Sequence, residues 1–349
     1  MSDQTVSDQT VHDQAVGGQA APLLTVEAMS VRFTLGRPAA RRVFARRAAG
    51  RGEVHAVTDV SFALRPGQVL ALVGESGCGK SVLASALLGL LPANARLRGR
   101  AVLADPAGAP VELLGAPEPV LAGRVRGRLV GLVPQSAATH LTPVRTAGAQ
   151  LVEAVRALRP AVAEPRALAE ALADRVGLPR QALDSYPHEL SGGTVQRVAV
   201  AMALAGDPPV VLADEPTTGL DRPLVDRTVD MLAELADQGR AVLLITHDLA
   251  AAKRVATHVA VMYASRLVEI APAGQLFTEP WHPYTGMLLD ALPDGAFTPI
   301  PGHPPELTAL PSGCAFCRRC PDVPGYAPCT DDPGLIRVGD RWVAAHPPC

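Results

Sequence analysis

Four short runs of apolar residues interrupt an otherwise mixed sequence, and polar or glycine-rich residues follow each run. The runs cover residues 69–73, 129–133, 210–213 and 241–245. Each has the length of a strand and little polar alternation, which is typical of parallel strands buried on both faces. Ligands of open α/β sheets bind beyond the carboxyl ends of such strands. The segments that begin at Gly74, Gln135, Asp214 and His247 are therefore predicted to meet at one site.

Helical spacing of apolar residues predicts helices in residues 82–91, 150–157, 165–176 and 194–205. Two of these lie in a stretch rich in Ala, Leu, Arg and Glu between the second and third strands. The pattern indicates an α/β core over residues 23–275 with a helical subdomain inserted at about 136–192. An Arg-, Ala- and Gly-rich segment, residues 37–52, is predicted to be a loop between two early strands.

The two ends of the chain differ from this core. Residues 2–20 carry a five-residue repeat with few large apolar groups, which bury too little surface to offset the entropy of ordering. We predict a disordered tail over residues 1–22. After residue 275 proline becomes frequent and periodicity fades, which predicts a small irregular C-terminal domain over residues 276–349.

Composition and charge narrow the class of protein. Hydrophobic residues make up 48% of the 349 residues and charged ones 19%, as expected for a folded globular chain. The net charge of -2 provides no broad positive field for nucleic acid or an anionic membrane. The chain has no run of ~18 apolar residues and no leader pattern, so it is expected to stay in the cytoplasm.

The segment after the first strand fits the phosphate-loop pattern G-x-x-x-x-G-K-[ST], and a strand and a predicted helix flank it. Its backbone N–H groups would surround phosphate, Lys80 would reach the outer phosphates and Ser81 would ligate Mg²⁺. Lys80 is one of two lysines, against thirty arginines, which sets it apart. The alternative is a simple glycine-rich turn. We predict an ATP site formed by Gly74, Glu75, Ser76, Gly77, Cys78, Gly79, Lys80 and Ser81.

Two further segments carry candidate chemistry. The third strand ends in Asp214 and Glu215, whose side chains point to different sides. Asp214 would hold Mg²⁺ and Glu215 would polarise the attacking water. Ser191, Gly192 and Gly193 form a second glycine-rich helix start and hence a second anion site. The alternative for these three residues is a simple N-cap, with Ser191 capping the helix.

Six motifs in this order resemble those of the ABC ATPases, which have a P-loop NTPase core: GESGCGKS, Gln135, LSGGTVQR, VVLADEP, TTGLD and ITHD. The resemblance covers residues 23–275. It implies that Glu215, His247 and Gln135 are catalytic, and that Gln135 joins Ser81 and Asp214 as a ligand of Mg²⁺.

The same resemblance implies that two subunits, identical or paralogous, hold two ATP molecules between them. Ser191, Gly192 and Gly193 would then contact the γ-phosphate bound by the second subunit. Asp221 would lie in the D-loop between the subunits. Phe33 would stack on adenine, or else it is an ordinary residue of the core.

A further set of motifs resembles the oligopeptide, dipeptide and nickel importer ATPases and covers their C-terminal extension, about residues 276–349. It implies uptake of peptides or a related small solute, including nickel, through integral membrane permease subunits. The chain would then be peripheral at the cytoplasmic face, with an extracytoplasmic solute-binding protein as an indirect partner. The motifs are YPHE at 186–189, VMY at 261–263, PWHPYT at 280–285, GC at 313–314 and RCP at 319–321.

The chain departs from that family where SAATHLTP follows Gln135 in place of a variant of DPxxSLNP, and at Ser265 and Ala271, where glycine is usual. A different reading is a soluble ABC ATPase that acts on nucleic acid or ribosomes, and another is a regulatory subunit with a dead site. The first would carry coiled-coil insertions, tandem cassettes or a basic face, and none is visible. Because Lys80 and Glu215 are present, ATP hydrolysis is expected. Because none of the features of the nucleic acid or ribosome class is visible, no nucleic acid partner is expected.

Five of the six cysteines lie in the last 36 residues, and in a reducing compartment such crowding favours a metal site over disulfides. The four that match the importer family are expected to hold a [4Fe–4S] cluster or Zn²⁺, with reduced thiols and no metal as the alternative. These four are Cys314, Cys320, Cys329 and Cys349. Cys317 is an addition to the family pattern. The sixth cysteine, Cys78, lies near a helix N-terminus and is expected to be acidic and reactive.

Overall fold

The computed structural model describes residues 20–35, 52–293, 295–320 and 334–344. Most of the predicted tail and almost all of the predicted loop at 37–52 lie outside the described residues. Two sheets form the framework, with helices packed against them. Their strands are β1 (Leu24–Thr34), β2 (Glu53–Leu64), β3 (Val69–Val73), β4 (Ala95–Leu103), β5 (Val111–Glu112), β6 (Val130–Val133), β7 (Val210–Asp214), β8 (Ala241–Ile245), β9 (His258–Tyr263), β10 (Arg266–Pro272), β11 (Ile336–Val338) and β12 (Arg341–Val343).

The helices include the four segments predicted from helical spacing, each shifted by a few residues. No helix of the described residues is long and apolar enough to cross a membrane. The helices are α1 (Lys80–Leu87), α2 (Glu118–Val120), α3 (Ala147–Leu158), α4 (Pro165–Arg175), α5 (Gly192–Ala203), α6 (Arg222–Asp237), α7 (Leu249–Val255), α8 (Ala273–Leu276) and α9 (Pro283–Asp290).

The larger sheet has eight strands in the order β11-β12-β10-β9-β3-β8-β7-β6. Its strands from β9 to β6 run parallel, and the four apolar runs found in the sequence supply β3, β6, β7 and β8. Every residue of β3 and β8 is buried. The prediction of buried parallel strands is confirmed, and their carboxyl ends lie along one edge of the sheet.

The smaller sheet is antiparallel, in the order β2-β1-β4-β5. It lies over one face of the larger sheet with α1 between the same layers. Val26 of β1, Leu103 of β4, Leu83 of α1 and Leu72 of β3 belong to one buried apolar cluster. This packing fixes α1, and with it the segment that leads into α1 from β3.

Helices α3, α4 and α5 lie between β6 and β7 in the chain and pack on one another. Thr146 caps α3, since its side chain accepts from the N–H of Ala149 at 3.3 Å. Leu151, Ala173 and Val198, one from each helix, share a buried cluster with the β7 residue Val211. The helical insertion expected from composition is therefore present and packs directly on the core.

The described part of the C-terminal segment continues the larger sheet, where the sequence suggested only an irregular domain. β12 pairs with β10, and β11 pairs with β12. The buried Glu269 carboxylate of β10 accepts from the N–H groups of Trp281 and His282, both at 3.0 Å, and from Arg341 of β12 at 2.6 Å. Breaking such a buried ion pair costs about 3–5 kcal/mol. One buried carboxylate thus ties β10, β12 and the turn before α9 together.

Candidate nucleotide-binding site

The predicted site residues gather where four parallel strands end. Gly74 follows β3, Gln135 follows β6, Asp214 closes β7 and His247 follows β8. Because all four strands run in the same direction, these residues lie at one edge of the sheet. Gln135 is exposed there. The four predicted segments therefore share one sheet edge, and their action as a single site stays a prediction.

The loop from Gly74 to Lys80 depends on glycine at both ends. Gly74 and Gly79 have φ values of +149° and +112°. A Cβ on Gly74 would overlap the carbonyl oxygen of Met262, and a Cβ on Gly79 would overlap that of Ala56. The two ends of the loop therefore lie against the backbone of β9 and β2 with no space for a side chain at either glycine, and α1 begins directly after the loop.

Lys80 is buried against the loop that precedes it. Its side chain donates to the carbonyl oxygens of Gly74 at 2.8 Å and Glu75 at 3.1 Å, and the residue is 6% exposed. The ammonium group is thus held against the start of the loop by two backbone carbonyls. An ammonium at a helix start that faces a turn of backbone N–H groups is a phosphate-binding arrangement.

Ser81 and Asp214 form a pair beside this lysine. The Ser81 hydroxyl donates to Asp214 Oδ1 at 2.9 Å. Burial raises the pKa of Asp214 above its usual value, and the charge of Glu215 adds to that effect, although the Ser81 hydrogen bond and Lys80 oppose it. A hydroxyl and a carboxylate are the oxygen ligands that Mg²⁺ prefers. The donor set fits the ion that the sequence predicted here.

Glu215 and His247 form a second pair next to Asp214. Glu215 is 8% exposed, and its carboxylate oxygen Oε2 lies 2.7 Å from Nδ1 of His247. Its backbone has a φ of +48°, a conformation that non-glycine residues rarely adopt, and its N–H donates to Ile245 at 2.9 Å. Backbone strain of this kind is held in place by its surroundings and is common at functional sites. The predicted catalytic glutamate and histidine are therefore in direct contact.

Cys78 differs from the sequence expectation of an acidic, reactive thiol. It is 5% exposed and packs in the apolar cluster between the sheets. Burial raises its pKa above the usual value, and this effect outweighs the opposing charge of Lys80. The expectation was wrong because desolvation of the thiolate here exceeds the gain from a nearby positive group.

A bulky maleimide is therefore expected to label Cys78 at least about tenfold more slowly in the folded chain than in the chain unfolded by guanidinium. Labelling of the folded chain should be slow whether or not ATP is present. Mass spectrometry of the Cys78 peptide after timed labelling measures the rate. Cys317, which is partly exposed, serves as the internal control. Rapid labelling of Cys78 that ATP prevents would restore the sequence expectation.

Ser191 caps α5, as expected if this segment is a simple helix N-cap, the alternative that the sequence left open. Its hydroxyl accepts from the N–H of Thr194 at 3.3 Å and lies 2.7 Å from the Thr194 hydroxyl. Gly193 is buried, and a Cβ there would press on the side chain of Leu224. Ser191 and Gly192 are exposed. The cap and an exposed helix N-terminus occur together, so the predicted role toward a second subunit stays a prediction.

Asp221 and Phe33 have clear structural positions. Asp221 caps α6, since its side chain accepts from the N–H of Leu224 at 3.0 Å. Phe33 lies on β1, half-buried against the cluster between the sheets. Both readings of Phe33, as an adenine contact and as a core residue, are compatible with an aromatic ring at the border of that cluster. These two assignments also stay predictions.

Ser265, a departure from the importer family, explains why glycine is usual there. Its φ is +73°, in the left-handed region that favours glycine. Its N–H donates to the carbonyl of Cys78 at 3.1 Å, and its hydroxyl lies 2.9 Å from that of Thr58. The extra hydroxyl thus has a partner in β2, which offsets part of the backbone strain.

Two residues that touch the phosphate loop were not identified as such from the sequence. Arg319 pairs with the Glu75 carboxylate, and the Tyr284 hydroxyl accepts from the Glu75 N–H. Both stand inside motifs of the C-terminal segment, PWHPYT and RCP. The motifs were visible, but only the folded chain shows which side chains reach the loop.

The predicted cysteine site is only partly within the described residues. Cys314, Cys317 and Cys320 are described, and Cys329 and Cys349 lie outside. Among the described residues, no group of three or more His, Cys, Asp or Glu side chains is arranged to hold a metal ion. The four-cysteine site therefore stays a prediction.

Two family models match the chain. The ABC transporter model matches residues 57–218, from β2 past Glu215. The model for the C-terminal region of oligopeptide/dipeptide transporters matches residues 268–324, which include Tyr284 and Arg319.

Solved ATP-binding cassettes share the fold. A dimeric cassette in a post-hydrolysis state with ADP and Pi matches with a TM-score of 0.60 at 22% identity, over 72% of this chain and 98% of that one. An ATP-binding subunit of an ABC transporter matches with a TM-score of 0.55 at 25% identity, over 74% of this chain and 92% of that one. The predicted P-loop ABC ATPase fold is thereby confirmed.

Curated relatives are similar over most of the chain. The oligopeptide transport ATP-binding protein OppD of Mycobacterium tuberculosis is 41% identical over 93% of this chain, which spans about half (52%) of that protein. OppD of Escherichia coli is 40% identical over 82% of this chain and 88% of its own length. These identities, together with the two family matches, show that the chain belongs to the oligopeptide/dipeptide family of ABC transporter ATP-binding proteins.

Proposed function

We propose that the chain binds MgATP and hydrolyses it to drive an importer. The imported solute would be a peptide or a related small solute, of which nickel is one candidate. The observation that carries this proposal is the single sheet edge that presents Lys80, the Ser81–Asp214 pair and the Glu215–His247 pair together. The match to the oligopeptide/dipeptide C-terminal region and the names of the relatives support the transport role.

Each group has a chemical task in this proposal. Lys80 and the backbone N–H groups of residues 74–81 would bind the phosphates. Ser81, Asp214 and Gln135 would hold Mg²⁺, which when bound neutralises charge on the phosphate oxygens. Glu215 would orient water and accept its proton, and His247 would hold the Glu215 carboxylate in place. The 2.7 Å contact between Glu215 and His247 supports that last role.

A second cassette, identical or paralogous, would complete the site. Ser191 and Gly192 are exposed at the start of α5, and their described partners lie within that helix start. They are available to contact the γ-phosphate bound by another subunit, with Gly193 behind them and Asp221 in the D-loop. The dimeric cassette of the same fold supports this arrangement.

The chain would act at the cytoplasmic face of the membrane, bound to integral membrane permease subunits and fed through them by an extracytoplasmic solute-binding protein. The names of the relatives support transport rather than the alternative role on nucleic acid or ribosomes.

Purification of the tagged chain from native membranes tests the transport role. We expect permease subunits to copurify and the assembly to hydrolyse ATP faster when its solute-binding protein carries a peptide. Copurification of ribosomes or DNA in place of permease subunits would contradict the proposal.

We also propose that Cys314, Cys320, Cys329 and Cys349 hold a [4Fe–4S] cluster, with Zn²⁺ as the second candidate and Cys317 as a competing thiol. The support for this proposal is the close spacing of Cys314, Cys317 and Cys320 along the chain. Protein purified without oxygen is expected to contain about four iron and four sulfide per chain.

The control is Cys78→Ser, which should keep the metal, whereas Cys320→Ser should release it. Zinc without iron would change the identity of the metal, and a metal-free protein would overturn the site. Arg319, the neighbour of Cys320, pairs with Glu75 of the phosphate loop, so Cys320→Ser is expected to weaken ATP binding as well.

A further inference from the structure

The C-terminal segment holds the phosphate loop through an ion pair between the buried Arg319 and the partly exposed Glu75. Arg319 lies in the 3-10 turn Cys317–Arg319, and its side chain is 5% exposed. Its Nη1 donates to Glu75 Oε2 at 2.8 Å, and its Nη2 donates to Glu75 Oε1 at 3.0 Å. This is the two-bond geometry in which arginine and carboxylate bind most strongly and with a defined orientation. A turn near the C-terminus is thereby joined to a residue 244 positions earlier.

Arg319 is itself held at other points. Its Nε donates to the carbonyl of Pro301 at 2.8 Å, and its Nη1 also donates to the Tyr263 hydroxyl at 3.2 Å. The hydrogen bonds that Arg319 donates to the Glu75 carboxylate raise the pKa of Arg319 further above its usual value. Because the guanidinium is fixed at both of its sides, it cannot follow Glu75 if the loop moves. The pair therefore restrains the loop.

Tyr284 restrains the same residue through the backbone. The Glu75 N–H donates to the Tyr284 hydroxyl at 3.0 Å, and the Gly74 carbonyl of the same peptide unit accepts from Lys80 at 2.8 Å. Since a peptide group is planar, fixing both of its ends fixes its orientation. Tyr284 is fully buried, with its ring centre 4.5 Å from that of Tyr263. Its hydroxyl has little freedom to move.

We propose that Arg319 and Tyr284 are positioning residues, which set the shape of the phosphate loop through Glu75 and so determine the affinity for ATP. Neither residue would touch the nucleotide. The proposal rests on the proposed function of residues 74–81 as the ATP site. A loop held in its binding shape loses less conformational freedom on binding, so releasing it weakens affinity. Glu215 and His247, which follow β7 and β8, do not contact Arg319 or Tyr284 in the described hydrogen bonds, and their proposed role toward water is expected to be unaffected.

Arg319→Ala in the full chain tests this proposal. We expect the Kd for MgATP, and the KM of the assembled transporter, to rise about tenfold or more, with kcat at saturating ATP within about twofold of the wild type. Arg318→Ala is the matched control, because Arg318 belongs to the same turn and is exposed. Arg319→Lys keeps the charge without the two parallel bonds and should restore part of the affinity.

Tyr284→Phe provides a second test that does not depend on how well Arg319→Ala folds, since it keeps the packed ring and removes one hydroxyl. We expect the Kd for MgATP to rise about three- to tenfold while the Tm without nucleotide changes little. Unchanged affinity in Tyr284→Phe and in folded Arg319→Ala would overturn the proposal. So would losses of affinity that only track a fall in Tm. If the wild-type chain itself fails to bind MgATP, the proposed function is contradicted instead.

Discussion

Glu215→Gln is expected to lower ATP turnover at least about a hundredfold while ATP binding stays close to that of the wild type. Glutamine keeps the size of the side chain but cannot accept a proton from water. The phosphate cradle, formed by Lys80 and the loop before it, does not depend on Glu215 for its hydrogen bonds. Nucleotide would therefore bind and remain, and the protein should accumulate as an ATP-bound dimer.

Three measurements on purified protein check this expectation: the rate of phosphate release, the Kd for MgATP and the molecular mass in the presence of ATP. Glu234→Gln is the matched control, because Glu234 is an exposed glutamate of α6 and its replacement removes the same charge. Turnover within about threefold of the wild type in Glu215→Gln would remove Glu215 from the role of the water-orienting base.

Lys80→Ala is expected to act at the earlier step and to weaken MgATP binding by about ten- to a hundredfold. The replacement removes the only positive side chain that the structure places inside the described loop, and it also removes the hydrogen bonds to the Gly74 and Glu75 carbonyls. The loop then loses both its charge and an internal brace. The effect on binding separates this variant from Glu215→Gln, where the cradle survives.

Isothermal titration with MgATP measures the loss in Lys80→Ala. Lys253→Ala is a natural control, because Lys253 is the other lysine of the chain and is exposed on α7, 5.9 Å from the ring centre of Phe277. We expect no change of affinity there. Equal affinity in Lys80→Ala and wild type would exclude residues 74–81 as the phosphate site.

Local sequence patterns located four parallel strands of the larger sheet and the candidate site residues that follow them. Buried parallel strands appear as short continuous apolar runs, so β3, β6, β7 and β8 could be located directly. The residues that follow these strands share one edge as a consequence of their common direction. Lys80, Asp214, Glu215 and His247 could therefore be assigned to one site before any distance was known.

The state of Cys78 could not be predicted in the same way. Its place near a helix N-terminus favours a thiolate, whereas its burial between two sheets favours the thiol. Which effect prevails depends on how closely distant strands pack around the sulfur, and that distance has no local signature. The positive φ of Glu215, whose N–H donates to Ile245 of β8, could not be predicted from the sequence either.

The sequence by itself determined the α/β core, the phosphate loop and the carboxylates after β7, because each arises from neighbouring residues with a local pattern. Only the tertiary structure decided that the C-terminal segment extends the larger sheet and that Arg319 and Tyr284 form hydrogen bonds with Glu75. The two contacts with Glu75 join residues more than two hundred positions apart. A buried guanidinium requires a matching carboxylate, and only folding brings Arg319 and Glu75 together.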